Sequence, residues 1–457
     1  MTDETPPTAL SSLIVDKEGA QDGIHWLWAS LIFCNALVGA GILNFPYSIH
    51  AAGGLPIAVL VQLCMMLVVY TAVTTIVWCS HVRATALYQD TIRVYLGAGG
   101  QLLCAVLILA FTFLLTTAYL LAIGEQLEAG TEILFHYTPT DARPWYVTRV
   151  ALVLFTVSFV VFPFCLVRNI DALHYASGAA NVAVLFVAFI VVYEYFELDV
   201  SETAHVRYTP ARWTDVLLAV PAYSLAYMFD LCSVAVYGRF KKRRVADFAK
   251  ASAISLVSVF IFYNIFAGFA YYTFGDKIQA NFMVNYRRKT TLIACAQFGY
   301  TLKLCLECPI YQFLGWTAIG TMFSFGADAK SGTGNGKNDD KMPENGKNKN
   351  GKMAGNDTKL LRASSSVIWL ALTTSISLMT PNINAILPLV SAVVVNFQMT
   401  FPGMCLLAAL SAFAGEHEST GRKQRNILLH VYAVFLIALG LMLSAIILYN
   451  YSTSGHE

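Results

Sequence analysis

The sequence predicts an all-α polytopic membrane protein, and three observations lead to that prediction. Apolar residues fill 57% of the 457 positions and charged residues only 13%, whereas a soluble domain has about half and about a quarter. The apolar residues are gathered into long segments that lack charge. At about 20 residues for each bilayer crossing, they suffice for about eleven to thirteen helices. This composition argues against a water-soluble enzyme, and a net charge of +2 gives no indication of a nucleic-acid partner.

The boundaries of the apolar segments predict eleven transmembrane helices within a membrane domain of residues 24–450. Residues 1–23 are polar and acidic, with no basic region before the first apolar segment, so they predict a disordered cytoplasmic tail rather than a signal peptide. Residues 326–363 are rich in Gly, Asn, Lys and Asp and predict a disordered cytoplasmic loop, and 451–457 form a short outer tail. The predicted helices lie near residues 24–50, 54–80, 100–124, 146–167, 172–194, 213–238, 248–275, 291–323, 364–387, 388–413 and 427–450.

The distribution of basic residues predicts the orientation in the membrane. With a cytoplasmic N-terminus, 21 Lys and Arg residues lie inside and 8 outside, and Lys303 falls within a span. Cytoplasmic loops carry an excess of Lys and Arg. The sequence therefore predicts a cytoplasmic N-terminus and, with eleven spans, an outer C-terminus.

The first apolar segment contains Gly39, Gly41 and Pro46 near its middle, a composition typical of an interrupted helix. Unwound backbone inside a membrane is tolerated where it lines a cavity. The N-terminus of the outer half, near Gly41 and Ile42, attracts a carboxylate, and the carbonyl groups ending the inner half attract a cation. Close helix packing through small residues is the alternative interpretation.

The sixth apolar segment is the expected counterpart of the first. If spans one to five and six to ten are inverted repeats, it also breaks, and Pro221 weakens the helix there. Asp230 is a carboxylate in a segment otherwise free of charge. Such a group faces a cavity or a partner, so either a functional or a merely buried and paired Asp230 agrees with the pattern.

Lys303 and Glu307 are four residues apart in the eighth segment and therefore share a helix face. Ionisable groups at this depth are costly. They form either a site for ion or proton coupling or an ion pair that only holds helices together.

Several motifs occur in order along residues 25 to 320: Cys34 to Pro46, Ala51 to Gly54, Tyr88-Gln-Asp90 with Gly97, Ala118 to Gln126, Arg168 to Ser177, Ser233 to Tyr237 and Thr273-Phe-Gly275. Together they resemble the amino acid/auxin permease family. Within it, the chain is most similar to the sodium-coupled neutral amino-acid transporters of solute carrier family 38, of the lysosomal glutamine-transporting type.

This resemblance implies a LeuT-type fold of five plus five inverted helices and one extra helix. It implies a secondary active transporter, not an enzyme, that moves neutral, glutamine-like amino acids by alternating access coupled to an ion. Thr116, Thr117 and Tyr119 of the third span then form a wall, and Asn35 corresponds to an Asn near the family's sodium site. The implied substrate-binding residues are Val38, Gly39, Ala40, Gly41, Ile42, Thr117, Ala226 and Asp230, and the implied ion-coupling residues are Asn35, Lys303 and Glu307.

The chain departs from the family pattern in two places, one in the eighth segment and one in the sixth. Before Pro309, where the family has small or hydroxyl residues as sodium ligands, this chain has Lys303, Glu307 and Cys308. A fixed ammonium takes the electrostatic role of sodium, so we expect coupling to protons, or no coupling ion. The second departure is Asp230 in place of a His; the added negative charge favours cationic substrates or carries a proton.

The resemblance does not determine every property of the protein. An amino-acid sensor or scaffold with little flux is a possible function from a different class. No cofactor is implied beyond a coupling sodium ion or proton, and the sodium site itself is in doubt. The expected partners are an amino acid and the lipid bilayer of a lysosomal, vacuolar or plasma membrane; the sequence does not determine the oligomeric state.

Overall fold

The computed structural model describes residues 23–39, 41–135, 144–167, 170–197, 205–210, 212–286, 290–331, 354–381, 383–413 and 420–454. Regular structure in these ranges is helical, apart from one isolated bridge between Ile24 and Phe240. The prediction of an all-α polytopic membrane protein is therefore confirmed. Four predictions concern residues outside the described ranges: the tail before residue 23, Ala40, the central part of the 326–363 loop, and the last three residues.

The principal helices, labelled in chain order, are α1 Trp26–Leu37, α2 Gly41–Ala51, α3 Leu55–Arg83, α4 Tyr88–Leu134, α5 Arg149–Thr156, α6 Phe162–Cys165, α7 Ile170–Glu197, α8 Val220–Ala226, α9 Asp230–Gly238, α10 Val245–Phe274, α11 Thr291–Ser331, α12 Ala354–Met379, α13 Leu387–Val395, α14 Phe401–Phe413 and α15 Thr420–Ser454. Five-residue π-helical turns, Val157–Val161 and Asn396–Thr400, join α5 to α6 and α13 to α14.

Seven helical segments within the described residues are long and apolar enough to cross a membrane, and shorter apolar helices accompany them. Helices occupy each of the eleven predicted segments, although the number that cross the bilayer stays a prediction. The helices α11 and α12 extend into both ends of the predicted 326–363 loop, to Ser331 and from Ala354.

Helix α4 is 47 residues long and is divided by Gly97, whose φ of 71° is not helical. At about 1.5 Å per residue it is more than twice as long as the bilayer core is thick. The predicted third span, 100–124, lies in the part after Gly97, so this glycine separates the spanning part from the shorter part that precedes it.

Contacts between loops agree with the predicted alternation of the spans. Ile24 accepts a hydrogen bond from the Lys241 amide at 3.1 Å and donates one to the Arg239 carbonyl at 2.8 Å. At the other end, a Cβ added to Gly53 would lie 2.3 Å from the Pro210 backbone. Each contact joins segments predicted to share one side of the membrane.

The interrupted helices lie at the centre of the bundle. The long helix α11 packs along α4 and α7, while α10 packs on α1 and α13 packs on α8. The outer half of the first interrupted segment, α2, also contacts α8. The helices surrounding these contacts therefore hold the two breaks beside each other.

Candidate functional site

At the first interruption, between α1 and α2, two tyrosine hydroxyls form hydrogen bonds with backbone carbonyl groups. Val38 has φ −87° and ψ 83°, which ends α1. The Tyr263 hydroxyl donates to the Leu37 carbonyl at 2.9 Å, and the Tyr300 hydroxyl donates to the Gly39 carbonyl at 3.2 Å. The last carbonyl groups of a helix lack partners within it. The same two carbonyls also accept backbone hydrogen bonds, from the Gly39 amide at 3.2 Å and from the Ile42 amide at 3.3 Å. Side chains from α10 and α11 thus supplement the backbone hydrogen bonds of the break.

The second interruption lies between α8 and α9 and comprises residues 227–229. The Tyr227 hydroxyl donates to the Gln62 side chain at 3.4 Å, and the Phe229 ring lies 5.2 Å from that of Phe33 on α1. A Cβ added to Gly41 would lie 3.6 Å from the Cα atom of Ala226. The predicted break in the sixth segment is confirmed, and the two breaks meet directly.

A small cavity lies between the two breaks and the adjacent face of α4. Its free volume is about 20 Å³, which holds a water molecule and is too small for an amino acid. Leu225 and Met228 form part of its wall, and a change in their side-chain rotamers would enlarge the cavity. The lining residues are Ala36, Leu37, Gly39, Gly41, Phe111, Leu115, Tyr119, Leu225, Met228 and Tyr311.

A polar cluster adjoins α1 just before the first break; we call it the lysine cluster, composed of the half-buried Asn35 and Asn181 and the buried Lys303 and Glu307. The Lys303 ammonium lies 3.1 Å from a Glu307 carboxylate oxygen and also donates to the Asn181 side-chain carbonyl. The Asn181 amide donates to the Asn35 side-chain carbonyl at 2.6 Å. The cluster therefore connects α1, α7 and α11.

The chemistry of the lysine cluster does not fit a sodium ion. Sodium is coordinated by oxygen atoms such as the carbonyls of unwound helices, whereas the Lys303 ammonium is donor-only and already engages oxygens of Asn181 and Glu307. The Lys303 side chain is fully buried and that of Glu307 is 8% exposed. A second cation would be repelled by a neighbouring ammonium that water does not screen.

Glu307 also connects the lysine cluster to the cavity. The Tyr119 hydroxyl lies beside the Glu307 carboxylate and the Tyr311 hydroxyl, and the rings of the two tyrosines are 5.5 Å apart. Both tyrosines line the cavity. A single side chain, that of Tyr119, thus separates the cavity from the Lys303–Glu307 pair.

Asp230 is the first residue of α9 and is completely buried. Neither carboxylate oxygen has a hydrogen-bond partner within the described residues, although the backbone amides of Phe229 and of Asp230 itself act on the carboxylate electrostatically. A helix N-terminus stabilises a negative charge by about 1 kcal/mol, but burial of an unpaired ion costs several times more. Of the two interpretations of Asp230, the paired one has no pairing side chain within the described residues.

The structure places the other predicted residues in different surroundings. Gly39 and Gly41 line the cavity, and Ile42 is fully buried at the start of α2. Thr117 is buried with its hydroxyl donating to the Phe113 carbonyl at 2.9 Å, and it is absent from the cavity lining. Two residues along α4 correspond to a rotation of about 200°, which turns Thr117 away from the face that carries Tyr119.

Sequence reasoning missed three residues that organise this site. Asn181 is a polar residue in an apolar segment, the signal by which Asp230 and Lys303 are found, but it carries no charge. Tyr263 and Tyr300 look like ordinary buried aromatic residues in the sequence. Their importance becomes visible when their hydroxyls reach the carbonyls of α1 and of the break.

The fold and the site define a multi-pass membrane protein in which two interrupted helices meet at a central cavity, the architecture expected of a secondary transporter. Comparison with protein families agrees, since residues 22–453 match the family described as transmembrane amino acid transporter protein. The chain belongs to this family, so it is a transporter and not an enzyme.

Individual relatives are similar over most of their length. "Sodium-coupled neutral amino acid transporter 7" of Danio rerio is 25% identical over 436 residues, which cover 93% of this chain and 86% of the relative. "Solute carrier family 38 member 8" of Homo sapiens is also 25% identical, over 84% of both chains. The human transporter 7 is 24% identical over 84% of this chain and 79% of its own. The resemblance to solute carrier family 38 is thereby confirmed.

Proposed function

We propose that this protein moves a neutral, glutamine-like amino acid across a membrane by alternating access around the two helix breaks. The observation that carries the proposal is the meeting of the breaks at the cavity, where Gly41 opposes Ala226. The names of two relatives, which specify neutral amino acids, support this substrate class. The LeuT-type repeat of five plus five helices is part of the same proposal.

The substrate's charged groups have complementary backbone groups at the breaks. The α-carboxylate faces the N-terminus of α2 at Gly41 and Ile42, where the helix dipole favours an anion. The Ile42 amide donates to the Gly39 carbonyl at 3.3 Å and exchanges that hydrogen bond for the carboxylate. The α-amino group faces carbonyl oxygens of the unwound residues between α1 and α2 and at the end of α8. Because the cavity volume is about 20 Å³, Leu225 and Met228 move aside when an amino acid enters.

The lysine cluster makes this transport independent of sodium. Lys303 donates to Asn181, which donates to Asn35 on α1, so these side chains join α1 to α11 without a sodium ion. The names of the relatives include sodium coupling. The buried Lys303–Glu307 pair is the observation that favours a different coupling here.

Transport by purified protein in proteoliposomes tests the proposal. Vesicles loaded with one unlabelled amino acid at a time are given the same amino acid in radiolabelled form, at constant pH, in sodium or choline medium. We expect exchange of neutral amino acids, glutamine included, at equal rates in both media. Binding without exchange would favour a sensor, and exchange that collapses in choline would overturn sodium independence while leaving transport intact.

A further inference from the structure

Asp230 combines three properties that the proposed transport cycle has not used. It is completely buried, it follows the second break directly, and its carboxylate has no hydrogen-bond partner among the described residues. An ionised carboxylate is stable inside a protein only when it is paired. We propose that Asp230 carries a proton across the membrane together with the amino acid. This inference rests on the proposed function and names its coupling ion.

The surroundings of Asp230 offer no cationic side chain among the described residues to hold the carboxylate ionised. The titratable groups near it are the Tyr88 hydroxyl on α4 and the Cys232 thiol on α9, with the thiols of Cys104 and Cys405 beside Tyr88. All four are hydrogen donors with little basic character at neutral pH. Asp230 is therefore the group in this pocket that gains and loses a proton.

The other elements packed against α9 leave this interpretation unchanged. From α3, His81 bonds Tyr237 at 2.7 Å, near the opposite end of α9. From α1, Phe33 faces Phe229, and the Cys34 thiol points to the Ser255 carbonyl. The turn 396–400 contains no titratable residue. Protonation thus depends on whether water reaches Asp230, which changes with the conformation of the break.

The location of Asp230 couples its proton to the cavity. Met228, two residues away, lines the cavity, and α9 leads from Asp230 to Gly238, eight residues or about 12 Å further. When the cavity is closed, a neutral Asp230 is favoured; when α9 opens toward the predicted cytoplasmic end, water stabilises the carboxylate and takes the proton. The carboxyl gains one proton from water on the entry side and releases it on the other, so only an O–H bond forms and breaks.

The experiment uses the full chain in proteoliposomes with L-glutamine as the probe. In one assay, labelled glutamine exchanges at equal pH on both sides. In the second, the interior is one pH unit more alkaline than the medium, and both glutamine accumulation and proton entry, reported by a trapped pH dye, are followed. For one proton per glutamine, accumulation in the wild type approaches about tenfold.

The variant Asp230→Asn is expected to give different results in the two assays. Asparagine has the shape of the neutral acid but cannot release a proton. We expect the variant to exchange glutamine measurably, without accumulation or proton entry, while Asp247→Asn, in the first turn of α10, behaves like the wild type. Three results would each overturn the inference. The first is accumulation of glutamine by Asp230→Asn, and the second is complete loss of exchange by Asp230→Asn although the variant elutes as a single species. The third is exchange by the wild type without proton entry. Failure of wild-type exchange would instead count against the proposed function.

Discussion

The Tyr263 hydroxyl donates a 2.9 Å hydrogen bond to the Leu37 carbonyl, the point at which α1 ends. Tyr263 is fully buried on α10, so no solvent replaces this hydrogen bond if it is lost. The Leu37 carbonyl also accepts a hydrogen bond from the Gly39 amide at 3.2 Å, so removal of the hydroxyl costs the net free energy of one hydrogen bond, about 0.5–1.5 kcal/mol. The tyrosine therefore stabilises the break itself rather than the surrounding helices.

Tyr263→Phe tests this relationship, because it removes one oxygen atom and leaves the ring in place. We expect the rate of amino-acid exchange to fall about tenfold, since about 1.4 kcal/mol is lost from the geometry of the break. The rate is measured by exchange in proteoliposomes. Tyr146→Phe, at a side chain that is 55% exposed, is the control and keeps the wild-type rate; equal rates for both variants would show that the hydroxyl is dispensable.

The buried pair of Lys303 and Glu307 gives a prediction about stability. Replacement of one partner leaves an uncompensated buried charge, which costs about 3–5 kcal/mol. We expect both Lys303→Met and Glu307→Gln to lower the thermal unfolding temperature in detergent, and the double variant to unfold at a higher temperature than either single one. Additive losses in the double variant would mean that the two charges do not interact.

An exposed pair supplies the comparison for this measurement. Arg207 and Asp276 lie 3.1 Å apart with side chains that are 48% and 31% exposed. Solvent screens such pairs, which contribute at most about 1 kcal/mol. Asp276→Asn is therefore expected to change the unfolding temperature much less than Glu307→Gln.

The sequence predicted the first break and the ionisable residues because each has a local cause. Gly39 and Gly41 weaken the helix where it breaks, and the spacing of Lys303 and Glu307 places them on one face. The second break lies at residues 227–229, whereas Pro221 occupies the first turn of α8, so the proline is not the local cause of that break.

The contacts of Asn181 with Asn35 and Lys303 join three helices far apart in the sequence, so no local pattern reveals them. Thr117 was predicted to bind substrate and does not line the cavity. The sequence predicted the helix that contains Thr117 but not which face of that helix contacts the cavity.

Substitution of Gly54 and of Gly97 by alanine compares a glycine in a tight loop contact with a glycine in open space. Both have positive φ, 125° and 71°, a region that costs an L-residue about 1–2 kcal/mol. A Cβ on Gly54 would also lie 2.3 Å from the Arg207 carbonyl oxygen, whereas the space around Gly97 is open. We expect Gly54→Ala to lower the thermal unfolding temperature more than Gly97→Ala; the reverse order would contradict the contact between the two loops.

Gly39 lines the cavity, and the size of its side chain should determine whether substrate enters. A Cβ at this position would lie 3.5 Å from the Tyr119 hydroxyl, an ordinary contact, so Gly39→Ala is expected to retain exchange at a reduced rate. The two additional methyl groups of Gly39→Val fill a cavity of about 20 Å³, and exchange is expected to be lost. Gly320→Val on α11, where nothing lies within 4 Å of an added Cβ, controls for the effect of valine in a helix. Exchange is measured in proteoliposomes at matched protein content, and wild-type exchange by Gly39→Val would show that the substrate passes elsewhere.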